Sequence, residues 1–161
     1  MNTVLPTPRR ALIELDARRR RLLADAGGRV LDVGERGVRA LDTLAAGGEQ
    51  FDTIVSVGMI STAPDAGAAC RQLASLLAPS GRLLFLEPTT RAGAVGLVQH
   101  AFGPWIRRTT GRRPDLDIPA LLRAAGLVMS DCDRFEARAL WPYRSFVEGV
   151  ARPRVVSEDA S

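Results

Sequence analysis

Arg29-Val30-Leu31-Asp32-Val33-Gly34-Glu35-Arg36-Gly37 is the stretch on which the reading of the fold turns. Val30 to Val33 form a short apolar run interrupted by one acid, the pattern of a buried strand in an α/β sheet, and Gly34 and Gly37 then let the backbone turn sharply. In such sheets a glycine turn after the first strand allows backbone N–H groups to come close to a ligand. Glu35 and Arg36 stand between the glycines. A long charged side chain opposes close approach, so the same residues also read as a solvated turn that holds no ligand.

On the N-terminal side, Thr7 and Pro8 supply an N-cap and a proline at the first helical position, which predicts a helix from Pro8 to about Ala26, stopped by Gly27-Gly28. Leu12, Leu15, Leu22 and Leu23 share one face, while Arg9, Arg10 and the run Arg18 to Arg21 cover much of the rest. This basic amphipathic helix suits docking on a sheet with solvated arginines, and it also suits an anionic membrane surface or an acidic partner.

On the C-terminal side, the pattern predicts a short helix over Val38 to Ala46, a strand over Phe51 to Val57, a loop from Gly58 to Asp65 and a helix over Ala66 to Ala78. Pro79-Ser80-Gly81 should end that helix before a strand from Arg82 to Glu87, apolar enough to be covered on both faces. Ala92 to Thr110 has helical spacing broken at Gly103-Pro104. Asp117 and Pro119 announce a helix through Ala125, stopped by Gly126. Leu127 to Phe135 and Leu140 to Val150 are closing strands, expected as an antiparallel pair.

The chain's 161 residues suffice for one domain with a real core. We divide it into an N-terminal helix at 1–27, a main domain at 28–150 and a disordered tail at 151–161. The net charge is +4 and every basic residue is Arg. The few aromatics do not interleave with them as a nucleic-acid surface requires, so no nucleic-acid partner is expected. Cys70 and Cys132 are too few for a disulfide framework and neither belongs to a CxxC pair, so no metal site is expected. No apolar run reaches the length of a membrane span. A reducing, cytoplasmic setting follows.

The set of Val30-Leu31-Asp32-Val33-Gly34, Phe51 to Ser56 and Leu76 to Glu87 resembles a class I S-adenosylmethionine-dependent methyltransferase. Pro119 to Leu127 and Trp141 to Gly149 resemble the closing part of its small-molecule branch, which includes the methyltransferase-like 7 and quinone-methylating enzymes. The similarity covers about residues 28 to 150. It implies a shortened Rossmann-like α/β fold, three-layer α/β/α with about five strands. It implies S-adenosylmethionine as cofactor, bound by Asp32, Gly34, Gly37 and the Val57-Gly58-Met59 loop, and methyl transfer to a small apolar acceptor.

The departures are specific. Arg36 stands where the family has its second glycine and Val38 where it has the third. The family's second and third strands, with the acid that holds the cofactor ribose, should precede Phe51 and are missing; only Asp42 is offered in their place. Losing a charged bidentate partner costs about 1.5–3 kcal/mol, or on the order of 10–150-fold in affinity. An alternative function is therefore a catalytically inactive methyltransferase-like binding or assembly protein. The deletion also leaves the opening strand at or near a sheet edge, to be shielded by the N-terminal helix or paired in a homodimer.

No catalytic residue is assigned. His100 is the only histidine and lacks an obvious partner, Glu87 is either a site carboxylate at the carboxyl edge or a helix cap, and Met59, Trp105 and Trp141 are either pocket wall or core. The family's Cys-His segment would fall in Gly111 to Asp117, where neither residue is present.

Overall fold

The computed structural model describes residues 8–90, 115–137 and 145–154, with the isolated positions 104 and 108. The chain begins with α1 (Pro8–Asp25), β1 (Val30–Asp32), the single turn α2 (Val33–Arg36), α3 (Ala40–Ala46) and β2 (Phe51–Val57). A 3-10 turn over Ile60–Thr62, α4 (Ala66–Leu76) and β3 (Leu77–Pro88) follow, and α5 (Ile118–Ala124), β4 (Leu127–Glu136) and β5 (Ser145–Pro153) close the domain.

These strands form a sheet of five in the order β1-β2-β3-β5-β4. β1, β2 and β3 are parallel, and β5 runs antiparallel to both β3 and β4. The expected α/β sheet with an antiparallel closing pair is what the structure has. β1 stands at one edge, where removal of the family's second and third strands would leave it.

Alternation along β3 sets the layers. Leu83 and Phe85 join Leu31, Ile54, Cys70, Leu73 and Leu122 in the main core under α3, α4 and α5. Leu84 and Leu86 face α1 on the other side. The starts of α4 and α5 are made by capping aspartates: Asp65 accepts from Ala68 N–H and Asp117 from Ala120 N–H, with Pro119 in the first turn of α5.

Several boundaries differ from the sequence reading, among them α3, which starts at Ala40 rather than Val38. Val33 belongs to α2 rather than β1. α4 ends at Leu76, two residues before the position that Pro79 restricts at Ala78, because Leu77 is already extended and paired with Phe51. β3 therefore begins at Leu77, and Pro79-Ser80-Gly81 lies within it: Phe51 pairs with Leu77 but Thr53 with Arg82, so the extra residues bulge from the ladder. β5 runs on to Pro153, which pairs with Leu127, beyond the strand end expected at Val150.

α1 crosses the face of the sheet over β2 and β3 rather than covering the β1 edge, and Val30 there is 41% exposed. Its anchor is Arg18, whose guanidinium meets Glu148 of β5 at 2.7 Å and lies 3.7 Å above the Phe135 ring of β4. His100, Trp105, Trp141, the segment 111–114 and the tail from 155 lie outside the described residues, as does the Ala92 to Thr110 helix apart from positions 104 and 108.

Candidate functional site

Asp32 ends β1 at the carboxyl edge of the sheet. Its Oδ1 accepts the Gly34 N–H at 2.8 Å and so caps α2, while Oδ2 takes the Arg19 guanidinium of α1 at 3.2 Å. Gly37 closes α2 at φ 78°, a left-handed conformation that favours glycine, and its N–H donates to the Val33 carbonyl at 2.7 Å. After β2, the Gly58 N–H donates to the Leu86 carbonyl at 2.9 Å and the Met59 N–H to Glu87 Oε1 at 2.9 Å. The backbone donors of Gly34, Gly37, Gly58 and Met59 thus all have partners inside the protein.

Glu87 is fully buried. Besides Met59 it accepts the Ser56 hydroxyl at 2.9 Å, the Ile60 N–H at 3.0 Å and the Ser61 N–H at 3.3 Å. Burial pushes its carboxyl up to about 7, against these hydrogen bonds, which favour the charged form. Of the two roles read from the sequence, the geometry gives the cap: Glu87 ties the Gly58–Ser61 loop to the end of β3. Cys70 lies buried nearby, its thiol pushed up to about 12 by burial and by the Glu87 charge, which leaves it inert as a nucleophile. Cys132 is exposed on β4.

The residues expected around a cofactor are divided between cavities. Gly37 and Met59 line one of about 610 Å³ between α2–α3 and α4, together with Arg36, Arg39 and Asp42. Val57 and Gly58 line another of about 210 Å³ on the opposite face, under Leu12, Leu15 and Arg19 of α1. A third, of about 430 Å³, adjoins Thr89, Thr90 and Phe146 beyond the end of β3. Asp42 accepts a hydrogen bond from the Gln72 amide of α4. Arg19 was not singled out from the run Arg18 to Arg21, although its spacing of four from Leu15 puts it on the sheet-facing side of the helix.

No family model matches the chain, and no curated protein sequence matches it. Solved structures do match. A Thermotoga maritima S-adenosylmethionine-dependent methyltransferase superposes with a TM-score of 0.58 over 89% of this chain and 91% of its own, at 12% identity. The fold is the Rossmann-like methyltransferase fold. The [4+2]-cyclase SpnF shares it with a TM-score of 0.58 over 89% of this chain and 81% of its own, at 15% identity. A pericyclic reaction enzyme gives 0.52 over 89% of this chain and 41% of its own, at 12% identity.

That methyltransferase fold makes S-adenosylmethionine the cofactor against which the site is judged. A backbone cradle needs free N–H groups after the first strand, and here that of Gly34 is bonded to the Asp32 carboxylate and that of Gly37 to the Val33 carbonyl. Asp32 is engaged by Arg19. The chain passes from α3 to β2 across only Gly47 to Gln50, with no strand to carry a ribose acid. The residues present do not fit the cofactor held in that way.

Proposed function

We propose that this chain is a methyltransferase-fold protein that binds or assembles rather than transferring methyl groups. The observation that carries this reading is the double engagement of Asp32, which caps α2 through the Gly34 N–H and pairs with Arg19 at once. A ligand would have to break a cap and an ion pair before reaching the acid. Calorimetric titration with S-adenosylmethionine and S-adenosylhomocysteine tests it. No saturable heat at millimolar ligand is expected; saturable micromolar binding would overturn it.

Assembly through the β1 edge belongs to the same reading, because among the described residues that strand pairs on one side only and Val30 is exposed. Light scattering on the intact chain should give twice the monomer mass; a monomer at all concentrations would remove the dimer and leave small-molecule binding.

A second reading, methyl transfer to a small apolar acceptor, is favoured by one feature. Val57 and Gly58 border a cleft walled by Leu12, Leu15, Leu86 and Phe146 at the carboxyl edge, where open α/β sheets place ligands. The same titration decides against it if flat.

A further inference from the structure

The larger cavity carries a more specific conclusion. Its wall is apolar at Val38, Met59 and Pro64, and its volume of about 610 Å³ falls in the range of small-molecule sites. Arg36 ends α2 and Arg39 precedes α3, and both line the cavity, with Gly37 and Val38 between them in the chain. Among the described residues neither has a carboxylate within ion-pair distance, so both are open to an anion that enters the cavity.

The acids lining the same space, Asp42 and Asp65, each have one oxygen engaged. Asp42 accepts from Gln72, and Asp65 Oδ1 accepts the Ala68 N–H that caps α4. The cavity therefore presents two guanidiniums without an ion-pair partner among the described residues, beside an apolar wall, with one oxygen of each lining carboxylate bonded inside the protein. Guanidinium pairs of this kind hold carboxylates and phosphates by charge-assisted hydrogen bonds.

We propose that this cavity binds a small organic anion, an apolar ring system bearing one carboxylate or phosphate, with Arg36 and Arg39 holding the anion and Val38, Met59 and Pro64 holding the ring. The position that a cofactor cradle would give to glycine is then the source of the recognition. This assignment names a ligand class for the binding role proposed above and rests on that role.

The test uses 1-naphthoate, 1-naphthyl phosphate and the neutral 1-naphthalenemethanol, titrated into the full chain by calorimetry and ligand-observed NMR. At least one anion should bind saturably and at least about tenfold more tightly than the alcohol, the effect of one charged hydrogen-bonding partner. The two anionic probes distinguish a carboxylate from a phosphate ligand. Arg36→Gln/Arg39→Gln should abolish that preference with an unchanged melting temperature, since both side chains are exposed, and Arg36→Gln alone should reduce it. Equal affinity for anion and alcohol, an unaltered preference in the double variant, or no saturable anion binding would each overturn the proposal. Saturable S-adenosylhomocysteine binding that 1-naphthoate fails to displace would sink the non-enzymatic reading alone.

Discussion

Arg19 of α1 meets Asp32 of β1 at 3.2 Å, so the acid at the head of the turn faces the N-terminal helix. The pair is partly shielded, with Asp32 at 11% side-chain exposure and Arg19 at 38%. Asp32 has a second duty as the cap of α2. Arg19→Ala should thus cost about 0.5–1 kcal/mol, the range of a partly exposed ion pair. Asp32→Ala should cost more, about 1–2 kcal/mol, because a cap is lost as well. Chemical denaturation of both variants checks the order; a larger loss for Arg19→Ala would refute the double role.

The turn itself makes a further prediction. Arg36→Gly restores the glycine that the family resemblance expects, but leaves the Gly34 N–H on Asp32 and the Gly37 N–H on Val33. Titration of this variant with S-adenosylmethionine should remain flat. Saturable binding would show that the arginine alone had closed the site.

Glu87 should make stability depend on pH in a definite direction. Its ordinary value is 4.5 and the fold raises it to about 7. Between those values the folded chain keeps a proton that the unfolded chain releases, so the group's contribution is full below about pH 4.5 and is lost as pH rises through about 7. The shift corresponds to about 3 kcal/mol. Glu87→Gln cannot titrate. The stability of the native protein relative to this variant should fall by that order between pH 4.5 and 8, measured by denaturant unfolding; a constant difference would refute the raised value.

Gly28 joins α1 to β1 at φ 73°, and a Cβ placed there would stand 2.5 Å from Asp52 Oδ2, the oxygen that accepts the Arg29 N–H at 2.8 Å. Gly28→Ala should cost about 2 kcal/mol from the left-handed backbone and the lost bond together. For a chain of this length that lowers the melting temperature by roughly 4–8 °C. Gly27→Ala, where the added carbon meets nothing, is the control.

Much of the fold was legible because its signals are local. Phe51 to Val57 is an apolar run of strand length, and Asp117 with Pro119 marks a helix start by capping chemistry; both elements form where expected. Pro79-Ser80-Gly81 misled because turn residues report local backbone preference, whereas pairing with β2 lets the strand absorb them as a bulge. The site was less legible. Val57, Gly58 and Met59 are adjacent in sequence, but the chain leaves the strand there, so Val57 and Gly58 open to the α1 face and Met59 to the α4 face. Nor does a run of arginines say which one meets an acid; that depends on where the helix docks.

Arg18 and Arg19 are neighbours in α1, yet one holds Glu148 beside the far edge strand and the other holds Asp32 at the near edge. A single helical turn therefore braces both margins of a sheet whose edge strands never touch. Departure of α1 would release the two margins in one event, so amide protons of β1 and of the β4–β5 pair should share an opening rate in hydrogen exchange. The helix links into one cooperative unit two regions that the sheet alone would let fray separately.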